Sequence, residues 1–351
     1  MQKTRIFLGA FTNQTNAQNL SCRALAKYLD KEKFEVYTLE IGHGNLKSQS
    51  VKGVHVFRCN FPVKLTGILG FFWGFYKADV VYLPRGLFIN WQRFLCCVFK
   101  VKTFKTVRNV IDEDSLVSAM SQINRKLKGR ISKGFDFVDR VYSMTPYMSE
   151  YNYKKWGIKS DKDCLLPPTD FEEFRKVART RHQLRKVIFI GNDWKRKRLS
   201  IFLDLANKLQ DIEFHVVGKG DQADFPNFLL KNVYAHGLLT EMELLEVITS
   251  ADLHILPSNS EGLPRVWLET LANGIPSILF KGYGAEDFVK EGVTGFVVSS
   301  TDEAYQLIEG ILDQSIDLSV LSKNCQAEAE IYDPIRLTKK YEQVIEDLYA
   351  S

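Results

Sequence analysis

The chain has 351 residues, of which 45% are hydrophobic and 25% charged, and a net charge of +5. That length exceeds one ordinary core and suggests two domains of about 100–200 residues each, and the composition is that of a soluble globular chain. No run reaches the ~20 apolar residues of a spanning helix, and the six cysteines show no CxxC spacing and no metal-like pairing with His, so they read as reduced, mostly buried thiols of a cytosolic protein.

Charge is unevenly spread. Residues 1–163 carry 27 Lys and Arg against 13 Asp and Glu, whereas residues 164–351 carry 20 against 29. A basic first half favours phosphate, nucleic acid or an anionic membrane surface. No nucleic-acid motif of the usual kinds appears, so nucleic acid is not an expected partner.

In chain order, "MQKTRIFLGAF" has an apolar run too short for a signal segment and reads as a first buried strand. "NAQNLSCRALAKYLD" has helical spacing, and "FEVYTLEI", "VHVFRC", "ADVVYLPR", "TFKTVRNV" and "FDFVDRVYSMT" mark further strands before the helix "PYMSEYNYKKWGI". The proline pair of "CLLPPTDFEEF" breaks this rhythm, and the linker is expected within Pro167–Arg185. The rhythm restarts with strand "KVIFIG", helix "LSIFLDLANKL", strands "IEFHVVG" and "VYAHG", helix "TEMELLEVITSA" and strand "ADLHILP". Helix "RVWLETLAN", strand "IPSILF", helix "AEDFVKE", strand "TGFVV" and the helical tail segments "DEAYQLIEGILD" and "DPIRLTKKYEQVIEDLY" complete it. The alternation predicts an α/β protein of two Rossmann-like doubly wound domains facing across a cleft.

Three stretches carry chemistry. In "SNSEGLPRVWLETLANGIP", Pro264 suits a first helical position and Gly274 the position just past the last, giving a helix of about ten residues. Its free N–H groups and dipole favour an anion, phosphate above all. Glu261 stands at the mouth of that site and Glu269 within the helix, and each carboxylate can accept hydrogen bonds from a diol. The plain alternative is a capping acid and a solvated acid. In "FIGNDWKRKRLSIFL", four bases at Lys195–Arg198 follow a strand and can clamp a diphosphate, or form a solvated basic turn. In "HVVGKGD", Gly218 and Gly220 can admit a flat base, although a lone GxG is a weak signal.

On "SNSEGLPRVWLETLANGIP", "GNDWKRKRLSIFL", "ADLHILPS" and "EDFVKEGVTGFVV", in that order and spacing, the chain resembles the retaining glycosyltransferases of family 4, the group 1 transferases, strongest over Lys186–Val298. The resemblance implies the GT-B arrangement, with an acceptor and membrane-facing domain over 1–170, a nucleotide-sugar donor domain over 171–333, and a C-terminal helix over 334–351 crossing back to the first. It implies that Arg196 and Lys197 hold the donor diphosphate, that Glu261 contacts the transferred sugar and that Glu269 holds the ribose. Gly262, Leu263, Arg265 and Val266 lie where members offer backbone N–H groups, and Gly218 and His236 lie around the base. The donor is a substrate, and neither cofactor nor metal is implied.

The first half matches less. Gly9, a donor-binding candidate, stands alone in the loop "GAFTNQTNAQN", where many members carry a Gly-Gly pair. None of the six histidines falls between residues 80 and 120, where many members place one, so Arg108, Asn109 and Asp112 are the acceptor-side candidates for its role. The triplet Asp112–Asp114 also invites a metal-binding DxD reading, but a turn or N-cap before Ser115 explains it as well.

The basic half also mixes rings with bases in "FPVKLTGILGFFWGFYK" and "WQRFLCCVFKVKTFK", the pattern of an interfacial membrane segment, with ordinary buried helices as the alternative. The sequence thus predicts a cytoplasmic, membrane-peripheral hexosyltransferase. It would use a UDP- or, second, a GDP-sugar and a lipid-linked glycan acceptor in surface polysaccharide or lipopolysaccharide assembly. The rivals are an epimerase or hydrolase on the same architecture and a polyanion-binding scaffold. Two-carboxylate glycosidase chemistry is disfavoured, because both acids would have to flank one bond.

Overall fold

A computed structural model describes residues 3–44, 46–49, 51–84, 89–111, 131–220 and 230–351. The chain divides into two compact units, one formed by Met1–Asp170 with Tyr332–Ser351 and the other by Phe171–Ile331.

The first unit holds strands β1 (Thr4–Phe11), β2 (Phe34–Ile41), β3 (Val54–Cys59), β4 (Val80–Tyr82), β5 (Lys102–Val107) and β6 (Arg140–Ser143). They form a parallel sheet in the order β3-β2-β1-β4-β5-β6. Side chains alternate across a strand, so β1 serves two cores at once. Ile6, Leu8 and Ala10 pack with Leu25, Tyr341 and Ile345 of covering helices, while Phe7 and Phe11 face Phe71, Phe75 and Leu95 on the other side. Burial on both faces explains why these strands read as nearly continuous apolar runs. Helix Ala17–Tyr28 starts where the Asn16 side chain accepts from the Asn19 amide, and helix Pro146–Trp156 starts at the Thr145 cap with Pro in its first turn. Helix Pro334–Ala350 lays Tyr341, Ile345 and Leu348 into the first of these cores.

The second unit repeats the plan with β7 (Lys186–Ile190), β8 (Glu213–Val217), β9 (Val233–Gly237), β10 (Leu253–Leu256), β11 (Ser277–Phe280) and β12 (Gly295–Val298). Their order is β12-β11-β10-β7-β8-β9, again parallel. Numbered within its own unit, each sheet has the 3-2-1-4-5-6 order of a dinucleotide-binding fold. The strand order reverses between β1 and β4 in the first sheet and between β7 and β10 in the second. Loops leaving two such strands diverge, and that leaves a crevice at the carboxyl edge.

Three local expectations change. "AEDFVKE" forms only a 3-10 turn, Ala285–Asp287, because the backbone leaves the helical region at Phe288, with φ −133° and ψ −22°. The Glu269 helix runs Arg265–Ala272, with Pro264 outside it at φ −66°, ψ 122°. Gly274 does follow its end at φ +78°. Gly9 lies inside β1, not in the following loop. A Cβ there would come 3.1 Å from both the Phe71 ring and the Tyr82 carbonyl, so close packing accounts for the glycine. Helix Leu318–Ala329, which the sequence pattern did not single out, starts at an Asp317 cap.

Candidate active site

The site is built at the reversal point of the second sheet. The loop after β7, residues 191–198, and the loop after β10, residues 257–264, face each other, and the Asn259 amide donates to the Arg196 carbonyl at 3.0 Å. Arg198, at φ +50°, opens helix Leu199–Lys208 and turns its guanidinium under the second loop. It donates to the carbonyls of Pro257 and Ser258 and stacks 4.9 Å from the Phe280 ring centre. This brace was not foreseen, although the fourth base of Lys195–Arg198 was its signal.

Held so, Arg196, Lys197 and Glu261 meet. One carboxylate oxygen, Oε1 of Glu261, accepts from Lys197 Nζ at 2.9 Å and Ser258 Oγ at 2.9 Å, and lies 3.0 Å from Arg196 Nη1. Arg196 also pairs with Asp193 at 3.0 Å and donates to the Ser260 carbonyl. Burial pushes the Glu261 carboxyl up. The charges of Lys197 and Arg196, with the hydrogen bonds of Lys197 and Ser258, outweigh it and hold the group below the usual carboxylate range. Lys197 crosses the face of Gly191, and Gly218 adopts φ +119° with the Gly191 carbonyl where a Cβ would be. These two glycines let the ends of β7 and β8 approach closely enough to seat the lysine.

Glu269 is 4% exposed, so the solvated-acid alternative does not hold. It accepts from Arg265 Nε at 2.6 Å, one helical turn earlier. Burial raises its pKa against the pull of Arg265. Gly262 is buried and Leu263 half-buried in the loop ahead of this helix, and the N–H groups of Arg265 and Val266 in its first turn have no intrahelical acceptor.

Beneath the two loops, His254 of β10 is fully buried, with Nδ1 3.0 Å from Ser277 Oγ. Burial and, second, the Lys197 charge push its pKa down to about 3. It is therefore neutral at ordinary pH.

Other candidates stand apart from this cluster. His236 lies within β9, the edge strand, and its Nε2 is 2.9 Å from Nδ1 of His215. Arg108, in the first unit, donates to Ser21 Oγ at 2.8 Å and has its other amino group buried without a partner among the described residues. Asn109 is exposed, and its carbonyl accepts from Asn152 Nδ2 at 3.1 Å. Asp112 and the rest of the DED triplet lie outside the described residues, and no metal-ligating cluster of three occurs among the described ones.

The family model of glycosyl transferases group 1 matches residues 170–328, the segment that contains the whole of this cluster. Among curated proteins, the chain is 25% identical over 186 residues to the sulfoquinovosyl transferase SQD2 of Arabidopsis thaliana, covering 51% of this chain and 36% of that protein. It is 25% identical over 181 residues to a UDP-Gal:alpha-D-GlcNAc-diphosphoundecaprenol alpha-1,3-galactosyltransferase of Escherichia coli, covering 46% and 44%. The chain thus spans less than half the length of these two relatives. Solved structures share the fold over nearly the full chain. Anabaena Alr3699/HepE in complex with UDP-glucose aligns over 99% of this chain and 100% of its own, with TM-score 0.74 and 16% identity. The sucrose-phosphate synthase of Thermosynechococcus elongatus aligns over 99% and 100%, with TM-score 0.78 and 13% identity. The two-sheet α/β plan is therefore that of GT-B-like glycosyltransferases.

Proposed function

We propose that this chain is a retaining glycosyltransferase of family 4 that moves a hexose from a nucleotide sugar, UDP-linked first and GDP-linked second, to a lipid-linked glycan. The observation that carries this reading is the convergence of Arg196 and Lys197 on Glu261 at the reversal point of the second sheet. Two cations gathered on one internal carboxylate are set to take a stronger anion. When a donor diphosphate enters, they turn to it, and the Glu261 carboxylate is released to the hydroxyls of the transferred sugar. As the sugar–phosphate bond breaks, charge grows on the leaving diphosphate. Lys197 and Arg196 neutralise it, joined by the N–H groups that open helix Arg265–Ala272. Glu269, in that helix, takes the ribose diol. The acceptor hydroxyl then attacks from the face the diphosphate leaves and passes its proton to the departing phosphate oxygen, with Arg108, Asn109 or Asp112 on the acceptor side.

Supporting the donor, Alr3699/HepE was solved with UDP and with UDP-glucose. Supporting the acceptor, the E. coli relative is named for a diphosphoundecaprenol-linked substrate, and a further structural neighbour is a lipopolysaccharide outer core galactosyltransferase. A lipid-linked acceptor and the basic first half together support a role in surface polysaccharide assembly, peripheral to the inner face of the cytoplasmic membrane.

A thermal-shift panel of UDP, GDP and ADP tests the donor. A ligand at one hundred times its Kd stabilises by about 2.7 kcal/mol, and UDP is expected to do so in the wild type but not in Lys197→Ala. If no nucleotide raises the Tm, the reading is wrong.

A further inference from the structure

Helix Val63–Lys77 is apolar on both sides. Its inner face, Thr66, Gly67, Gly70, Phe71, Gly74 and Phe75, is buried. Gly70 and Gly74 let it press onto the sheet, for a Cβ at Gly74 would come 2.5 Å from the Phe7 ring. Its outer face carries Leu65, Ile68, Leu69, Phe72 and Tyr76 at helical spacing, all exposed, with Phe72 at 48% and Tyr76 at 65%. The next helix, Ile89–Phe99, exposes Phe94 and Val98. Trp91 joins the two helices, donating to the Ile68 carbonyl at 3.1 Å, and Phe72 meets Phe99 edge-on. A helix apolar all round has an apolar medium on both sides, and here one side lies outside the unit.

Charge identifies the occupant. Between Glu40 and Asp112 the chain has eleven Lys and Arg and one acid, Asp79. That acid is held by Arg5 at 2.5 Å. Lys64 and Lys77 stand at the two ends of the first helix and Lys100 just past the second, so neither helix carries an acid that anionic headgroups would repel. Rings and aliphatic side chains between lysines are the arrangement of a helix lying in a bilayer interface.

We infer that the outer faces of helices Val63–Lys77 and Ile89–Phe99 form a wedge that seats the first unit in an anionic lipid surface, with Leu69, Phe72, Tyr76 and Phe94 among the acyl chains and Lys64, Lys77 and Lys100 at the headgroups. This deepens the membrane part of the proposed function and rests on none of its chemistry.

Vesicle flotation of the full chain tests the wedge. Wild-type protein floats with phosphatidylcholine vesicles containing phosphatidylglycerol, stays largely behind with phosphatidylcholine alone, and is released by salt. The Leu69→Glu/Phe72→Glu variant loses binding by about tenfold or more. Its thermal unfolding, measured beside wild type, shows that it is folded. Vesicle binding without any stabilisation by nucleotide supports the wedge and removes the donor reading. The wedge is overturned if wild-type protein ignores the anionic vesicles, if the double variant floats as wild type does, or if sedimentation shows a self-association that the double variant abolishes, which would make this face a contact between copies.

Discussion

Gly191 lies directly under Lys197: a Cβ on the glycine would be 2.1 Å from Cδ and 2.9 Å from Nζ of the lysine. The absence of a side chain at one strand end thus sets the position of the ammonium group that meets Glu261. Gly191→Ala should fold, because the obstructing atoms belong to a side chain that can swing away. Activity with a UDP-sugar should fall about a hundredfold, the scale expected when a charged group is displaced by an ångström or so. Steady-state kinetics beside a urea melt would check this; full activity in the variant would refute the seat.

Lys197→Met removes the cation but keeps the length of the side chain. On the proposed chemistry, kcat should fall about 10²–10³-fold, as when one preorganised donor to a developing negative charge is lost. Wild-type turnover in this variant would remove Lys197 from the chemistry.

The two glutamates should respond oppositely to neutralisation. Glu261→Gln leaves the buried Lys197 without its anion and Arg196 with Asp193 alone, and should cost about 2–4 kcal/mol at neutral pH. The wild-type carboxyl has a lowered folded pKa, so its contribution is complete above the ordinary value of 4.5 and is lost as pH falls below it. Glu269 has a raised folded pKa, so its contribution is greatest at acid pH and declines as pH rises through the folded value. Glu269→Gln should therefore keep or raise the Tm at neutral pH while weakening stabilisation by UDP. Differential scanning with and without nucleotide separates the two effects, and a large Tm loss in nucleotide-free Glu269→Gln would contradict the sign.

His254 sets a third pH window. Its folded pKa, pushed down to about 3 from an ordinary 6.5, means that below pH 6.5 the unfolded chain takes a proton that the native site refuses. Stability then falls by about 1.4 kcal/mol per pH unit for this one group. His215 and His236 are lowered too, chiefly by burial, and add to the same window. His254→Gln should flatten the acid slope by one proton's worth in urea melts taken across that range; an unchanged slope would exclude His254 from it.

Arg181 supports the site from below. Fully buried, it donates to the carbonyls of Arg179, Thr249, Ala251 and Asn273, gathering the C-terminal ends of helices Glu241–Ser250 and Arg265–Ala272. Cations suit helix C-termini. Arg181→Ala strips several buried acceptors at once, at about 1–3 kcal/mol each. It should lower the urea midpoint more than any variant above, and a midpoint near wild type would show that other donors replace it.

The sequence by itself determined the two Rossmann-like sheets, because strands covered on both faces must be apolar along their whole length and the intervening helices show their 3.6-residue period. It also determined the two basic and acidic loop segments, since Gly, Pro and clustered charge mark chain that leaves a strand edge. What only the tertiary structure decided was which side chains meet. Glu261 is more than sixty positions from Arg196 and Lys197, and only the reversal of strand order between β7 and β10 brings their loops together. The burial of Glu269, the brace of Arg198 and the confinement of Gly9 within β1 depend likewise on neighbours distant in sequence. A local pattern records what a residue does for its own element; the contacts made by its far end belong to the packing of the whole unit.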